Sequence, residues 1–122
     1  MPTKLGAATA LAQNMFDDQT STYTPAPTNA QGVAEAFATG TAPVYTAAPG
    51  TAVTLTPLTD GSGGLKVTGV TGVAGVEVIT GVYTNPDGTV SDPVTLTYTQ
   101  SVDPAEGDVK TLGGTISTPV AK

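Results

Sequence analysis

Residues Gly75 to Thr99 read GVEVITGVYTNPDGTVSDPVTLTYT, and this stretch decides the fold. It predicts two β-strands joined by a turn that runs from Asn85 to Gly88. Proline presets the backbone at the second turn position, and Gly88 accepts the left-handed conformation that follows. A type I turn closed by a left-handed glycine makes a three-residue hairpin loop with a bulge, which pairs Asn85 with Thr89.

Counting outward from this turn gives the expected register of the hairpin. Val82 then faces Asp92, and Val78 faces Leu96. One sheet face would carry Val76, Val78, Val82, Val94, Leu96 and Tyr98. A shift of one residue would set these valines opposite threonines instead. Glu77 projects from the other face in this register, so we expect its carboxylate to face solvent.

Pro93 interrupts the hairpin pattern. It would sit opposite Gly81, at a position that should donate a ladder hydrogen bond, and proline has no backbone N–H. Either the return strand lies at a sheet edge, or a bulge near Asp92 breaks the ladder. Of the two, we favour an edge strand broken into two pieces.

The segments before the hairpin continue the β pattern. Short strands are predicted at Ala42 to Ala47, Thr51 to Leu58 and Leu65 to Val70. Several short strands about ten residues apart predict a mainly β fold, either a small immunoglobulin-like β-sandwich or a compact β-barrel. Residues 41–122 form this domain, and Val109 to Val120 could add two more short strands.

The first 40 residues are predicted to be an N-terminal helix and an extended arm. Apolar residues recur at helical spacing between Thr3 and Phe16. A helix of this length is marginal alone in water, so it must lie on its own domain or on a neighbouring subunit. Gln19 to Ala30 is rich in threonine and proline, which indicates an extended linker. Gly32 to Ala38 could be one or two helical turns or a first strand.

The arm supplies the candidate partner-binding side chains. They are the large apolar residues of the predicted helix and the lone aromatic residue of the linker, namely Leu5, Leu11, Met15, Phe16 and Tyr23. If residues 1–30 fold back onto their own domain, this reason for a partner-binding arm disappears.

Charge excludes two classes of partner. The chain has 10 acidic residues and 4 lysines, with a net charge of −6. Phosphate backbones and anionic membrane surfaces are bound by clustered Lys and Arg, and these lysines are scattered. We therefore expect no nucleic acid and no membrane among the partners.

The residue types also argue against catalysis. Histidine and cysteine are absent, so the usual general bases, thiol nucleophiles and zinc ligands are missing. Most carboxylates fall in predicted turns, where aspartate is favoured for backbone reasons. We predict no enzyme activity, no catalytic residues and no cofactor. Calcium is the one metal considered, at Asn85, Asp87 and Asp92 or at Asp103, Glu106 and Asp108, but neither group completes a calcium loop.

Part of the hairpin resembles a known class of module. The passage GVYTNPDGTVSDPVTLTYT is similar to the last two strands of immunoglobulin-like and fibronectin type III-like modules of bacterial surface and phage virion proteins. The positions that match are Asn85, Gly88, Ser91 and Pro93, with one extra residue between the glycine and the serine. The resemblance implies a sandwich and assigns no binding residues.

The whole chain resembles phage capsid decoration, or cement, proteins in composition. It is small, lacks cysteine, carries few charges, is rich in Ala, Thr, Gly and Pro, and combines a predicted extended N-terminal arm with a β domain. The resemblance implies a structural virion protein on the capsid surface, a homo-oligomer that contacts the major capsid protein and sister copies. The alternative is an immunoglobulin-like adhesion or carbohydrate-binding module of a phage tail or bacterial surface, which would use Tyr45 and Tyr83.

Overall fold

The computed structural model describes residues 1–6, 9–104 and 112–122, and these residues form seven strands and no helix. The strands are β1 Ala10–Phe16, β2 Thr20–Tyr23, β3 Val44–Ala48, β4 Val53–Pro57, β5 Leu65–Gly69, β6 Gly75–Val82 and β7 Val94–Ser101. One sheet has the order β1-β7-β6-β3, and the other has the order β2-β5-β4. The fold is therefore all-β with two sheets, which is compatible with a β-sandwich of immunoglobulin-like type.

The strands predicted before the hairpin are confirmed as β3, β4 and β5, within two residues at each end. β5 illustrates why they form. Its Leu65 and Val67 are fully buried, while Lys66 between them is exposed, so alternate side chains leave opposite faces of the pleat. β4 follows the same alternation, with a buried Val53 beside an exposed Thr54.

The turn of the hairpin is confirmed, but the predicted register is wrong. The Asn85 N–H donates to the carbonyl of Thr89 at 2.8 Å, as expected. Beyond it, however, Gly81 pairs with Val94 and Val78 pairs with Thr97. The valines therefore do lie opposite threonines, and Val76 and Val78 are exposed.

A bulge causes this shift. The Ser91 N–H donates to the carbonyl of Tyr83, so the residues near the hairpin tip pair in the predicted register. The next ladder pair is Gly81 with Val94, which leaves Asp92 and Pro93 together opposite a single residue. The bulge alternative for Pro93 is confirmed, and the edge alternative is wrong because β7 lies between β1 and β6.

The N-terminal helix is also not present. Ala10–Phe16 is strand β1, which pairs in parallel with β7. Leu11 and Met15 fit a helical spacing, but with Gln13 between them they also fit the two-residue period of a strand. The outer side of β7 supplies backbone partners for the whole segment, which a lone short helix in water would not have.

The predicted linker also takes part in the domain. Thr20–Tyr23 is strand β2, which pairs antiparallel with β5. Ahead of β1, Thr3 and Lys4 both donate to the carbonyl of Thr28. Gly32 to Ala38 contains no helix and no strand longer than a single bridge. Most of the first 40 residues therefore pack on their own domain.

The core lies between the two sheets. Its buried members come from every strand except β2 and β3 and from the segments beside them: Leu5, Met15, Val53, Leu65, Val67, Ile79, Tyr83, Val94, Leu96 and Tyr98. β6 and β7 turn alternate side chains into this core, which places Glu77 and Gln100 inside as well. Within residues 112–122 there is no strand, and Val109 to Thr111 lie outside the described residues.

Candidate interaction surface

Glu77 is buried, against the expectation that it faces solvent. Its carboxylate accepts three backbone N–H groups, from Gly50 at 2.8 Å, Thr51 at 3.0 Å and Ala52 at 2.8 Å. The shifted register turned this side chain inward, and the turn between β3 and β4 closes over it. With three donors already bound, the carboxylate serves as an anchor for that turn.

Gln100 plays a similar part from β7. Its side-chain nitrogen donates to the carbonyls of Ala52 and Val73, each at 2.8 Å. Asn85 donates in the same way to the carbonyl of Pro2 at 2.7 Å. These buried amides hold loops and the N-terminal segment against the sheets, so their donor groups are used within the chain.

Asp17 is the remaining buried acid. It is 1% exposed and accepts the N–H of Gly72 at 2.6 Å and that of Asp103 at 2.8 Å. Beside it, partial desolvation and the neighbouring Asp103 carboxylate raise the pKa of Asp18. This acidic group joins the ends of β1 and β7 to the loop before β6.

The first calcium candidate does not form. Asn85 points inward, while the Asp87 carboxylate accepts the N–H and the hydroxyl of Thr89 at 3.0 and 2.6 Å. That hydroxyl bond lowers the pKa of Asp87. Among the described residues no group of three His, Cys, Asp or Glu could hold a metal ion. Of the second candidate, Glu106 and Asp108 lie outside those residues.

Tyr45 and Tyr83 do not form an exposed aromatic platform. Tyr83 is fully buried, and its hydroxyl accepts the N–H of Ala38 at 3.1 Å. Tyr45 is half-buried, donates its hydroxyl to the carbonyl of Gly63 at 2.7 Å, and meets the ring of Tyr23 edge-on. Burial raises the pKa of both Tyr45 and Tyr23.

The five predicted partner-binding residues are not brought together. Leu5 and Met15 are core residues, 2% and 6% exposed. Tyr23 is half-buried against its own domain. Leu11 and Phe16 stay accessible, at 43% and 41% exposed, but they leave opposite faces of β1.

A further cleft lies away from these residues. It measures about 570 Å³ and is lined by the loop around Pro27 and Phe37 and by Gly61 and Ser62. Its charged side chain, Glu35, is paired with the N-terminal amine at 2.6 Å, and this contact lowers the pKa of Glu35. Among the described residues that line the cleft, no other side chain is ionisable.

The outer face of the four-stranded sheet is the most distinctive surface, and we call it the Val/Thr face. The side chains that alternate away from the core are Ala10, Ala12, Asn14 and Phe16 of β1, Thr95, Thr97, Thr99 and Ser101 of β7, Val76, Val78, Thr80 and Val82 of β6, and Val44, Thr46 and Ala48 of β3. None of them is charged in a chain of net charge −6. Three valines are well exposed, Val44 at 63%, Val76 at 53% and Val78 at 38%.

Sequence reasoning missed this face because it assigned the valines to the core. One signal was available: Thr95, Thr97 and Thr99 alternate with Leu96 and Tyr98, which marks β7 as a strand with an uncharged outer side. The predicted register contained no bulge, so it placed the core-facing side of β6 next to these threonines.

No protein-family model matches this chain, and no curated protein matches it either. Among the described residues there is no helix long and apolar enough to cross a membrane. What the protein does must therefore be inferred from its own residues.

Proposed function

We propose that this protein is a structural component of a phage virion, a capsid decoration protein that stabilises the head through subunit contacts. The observation that carries the proposal is the Val/Thr face. An uncharged sheet surface with exposed valines can be buried against a neighbour without desolvating a charge. Together with the compositional likeness to decoration proteins, this favours a protein that works by packing.

The contact is assigned to the body of the domain and not to an N-terminal arm. Residues 1–6 bond to Thr28, β1 pairs with β7, and β2 pairs with β5. The free arm was the first reason for a decoration protein, and that reason is withdrawn. The Val/Thr face replaces it as the surface that meets sister copies or the shell.

The size of the face limits what it does alone. Four strands about 4.8 Å apart and about 20 Å long give about 400 Å² in projection. One partner of a typical stable interface buries about 800 Å², so this face supplies about half. Further contacts at its rim or elsewhere must supply the rest.

We also infer that the sandwich has immunoglobulin-like topology. The order β7-β6-β3 corresponds to strands G, F and C of constant-type domains, and β2-β5-β4 corresponds to B, E and D. In such domains the first strand lies beside B. Here β1 lies beside β7 instead, and Leu5 and Lys4 bond to Ala26 and Thr28 beyond the end of β2, so no strand of the described residues lies on the outer side of Thr20–Tyr23.

The alternative of a carbohydrate-binding module has less support. Glycan sites of this kind need accessible aromatic rings, and of the six aromatic side chains only Phe16, at 41%, is well exposed. Its neighbours on the Val/Thr face are Asn14, Thr99 and Ser101. Glycan binding by the isolated domain that is lost in Phe16→Ala would restore this alternative.

The test is binding to empty capsid shells assembled without this chain. Wild type is expected to co-sediment with the shells and to raise their resistance to heat. Val76→Lys places a charge on the Val/Thr face and is expected to weaken binding at least about tenfold. Val90→Lys changes an equally exposed valine at the hairpin tip, outside the face, and serves as the control. Equal binding by the two variants would overturn the proposal.

A further inference from the structure

The outer side of β2 is a sheet edge with free backbone groups. The Gly69 N–H donates to the carbonyl of Gln19 at 3.0 Å, and hydrogen-bonded pairs alternate from there along β2 and β5. Ser21 and Tyr23 therefore bond to β5, while Thr20 and Thr22 turn their N–H and C=O groups outward. No described residue bonds to those outward groups.

The neighbouring edge of β1 is protected in a way that β2 is not. The Phe16 N–H, on the outer side of β1, donates to the side-chain oxygen of Gln19 at 2.8 Å. The carbonyl of Asn14 accepts the side-chain N–H of Gln13 at 2.9 Å. Native proteins commonly block an edge in this manner to prevent strand pairing. Among the described residues, no side chain blocks the outward groups of Thr20 and Thr22 in this way.

An apolar cleft of about 180 Å³ separates the two edges. Inward-facing side chains of three strands line it, among them Leu11, Tyr23, Leu96 and Tyr98. Leu11 is 43% exposed although it points toward the core, so the described residues leave this side of the sandwich only partly covered. A strand added to β2 would place an apolar side chain in this cleft.

The chain itself contains a segment of matching chemistry. Residues 112–122 read LGGTISTPVAK and have neither strand nor helix. Their large apolar side chains are Leu112, Ile116 and Val120, at 91%, 98% and 87% exposed, whereas the next most exposed, Val44, is at 63%. Thr115 to Thr118 are residues that favour β-strands, apart from Ser117.

We propose that residues 114–118 of one copy add as an antiparallel strand to β2 of a second copy. The pairing sets Thr115 opposite Thr22 and Ser117 opposite Thr20, so both outward-facing residues of β2 gain ladder bonds. Ile116 then lies opposite Ser21 and enters the cleft.

Two neighbouring residues support this register. Gly114 falls opposite Tyr23, where a residue without a side chain leaves room for the ring. Pro119 falls beyond the start of β2, where its missing N–H costs no ladder bond. A register moved by two residues toward the end of the segment would place Pro119 opposite Thr20 and lose one bond.

The contact is head to tail, because the segment that adds as a strand and the β2 edge that accepts it are different parts of the chain. Such contacts close into rings or continue as filaments. Strand addition of this kind gains affinity from main-chain bonds and specificity from alternate side chains. It uses residues outside the Val/Thr face, so it is tested separately from the function proposed above.

Because the chain has no cysteine, a disulfide can form only between cysteines that are introduced for the test. Two single variants, Thr22→Cys and Thr115→Cys, are mixed and oxidised. Hydrogen-bonded antiparallel pairs have Cα atoms about 5.5 Å apart, which suits a disulfide. Thr56→Cys is the control. Thr56 pairs with the same Lys66 from β4, but its own backbone groups bond to β5, because the Val70 N–H donates to the carbonyl of Ala52 and bonded pairs alternate from there.

The expected result is a covalent dimer of Thr22→Cys with Thr115→Cys at a yield at least about tenfold above that with Thr56→Cys. Adding Ile116→Asp to the Thr115→Cys chain should remove most of this excess, whereas Leu112→Asp, outside the pairing, should not. Equal yields for Thr22 and Thr56 would overturn the proposal. The proposal would also be overturned if the Thr22→Cys, Thr115→Cys double variant formed its disulfide only within single chains. That result would show that the segment pairs with β2 of its own chain.

Discussion

An oxygen of the Glu77 carboxylate lies 2.8 Å from the backbone nitrogen of Ala52, and this contact joins a strand of one sheet to the turn that leads into the other. Glu77 is 0% exposed and sits in β6, while Ala52 ends the turn that leads into β4. The contact ties the sheets together where the chain crosses between them. It also shows that a buried charge in this fold serves structure.

Glu77→Gln is expected to lower the free energy of unfolding. An amide keeps one acceptor oxygen but turns an NH₂ group toward the Gly50 N–H, so a charged acceptor is lost and a buried donor is left unpaired. Hydrogen bonds to charged groups contribute about 1.5–3 kcal/mol, and we expect a loss of about 2–3 kcal/mol in urea unfolding.

The control is Glu35→Gln, which removes a partly exposed ion pair with the N-terminal amine. Solvent screens exposed pairs and leaves them little net stabilisation, so this variant should unfold close to wild type. Similar losses in both variants would show that Glu77 does not anchor the turn.

Gly81→Ala is expected to destabilise the protein through overpacking. A Cβ at this position would lie 2.6 Å from the Tyr45 ring and 3.0 Å from Val94. Extra methyl groups in a packed site cost about 1–3 kcal/mol. Thermal unfolding would measure the loss, and the displaced Tyr45 would lengthen its bond to Gly63.

Gly113→Ala is the matched control, since a Cβ there meets nothing within 4 Å. It should leave the melting temperature of the monomer unchanged. If Gly81→Ala also leaves it unchanged, the close packing of Tyr45 on β6 is wrong.

Alkaline pH is expected to weaken the fold through Tyr45. Burial, and next the nearby Tyr23, raise its pKa above the ordinary value of 10.0, so the folded chain keeps the phenol proton after the unfolded chain has lost it. The stabilisation is complete below about pH 10 and declines as the pH rises further. Urea midpoints measured from pH 8 to 12 should fall less steeply for Tyr45→Phe than for wild type. Parallel profiles would mean that Tyr45 ionises freely in the folded state.

The sequence was a good guide wherever one local signal decided the structure. The turn at Asn85 to Gly88 and strands β3 to β5 were predictable, because turn chemistry and alternation act over a few residues. The hairpin register was not, since the bulge at Asp92 and Pro93 adds one residue and exchanges the two faces of β6. The sequence offered both an edge strand and a bulge for Pro93, and the edge strand that we favoured is wrong.

The prediction of an N-terminal helix was wrong for a different reason. Leu11 and Met15 fit either a helix or a strand, and the choice depended on the outer side of β7, more than 80 residues away along the chain. Tertiary pairing of this kind overrides local propensity. The same pairing turned the expected arm into part of the domain and moved the candidate contact to the Val/Thr face.

The central claim is that the Val/Thr face is covered by a neighbouring copy. Sedimentation equilibrium over a wide concentration range tests it on chains that all carry Ile116→Asp, so that the strand addition proposed above does not contribute. Val78 lies on that face, and Val90 lies at the hairpin tip. We predict that the Ile116→Asp chain associates alike with and without Val90→Lys, and that the same chain with added Val78→Lys needs at least about tenfold higher concentration to do so. Association of all three at the same concentrations would contradict this claim.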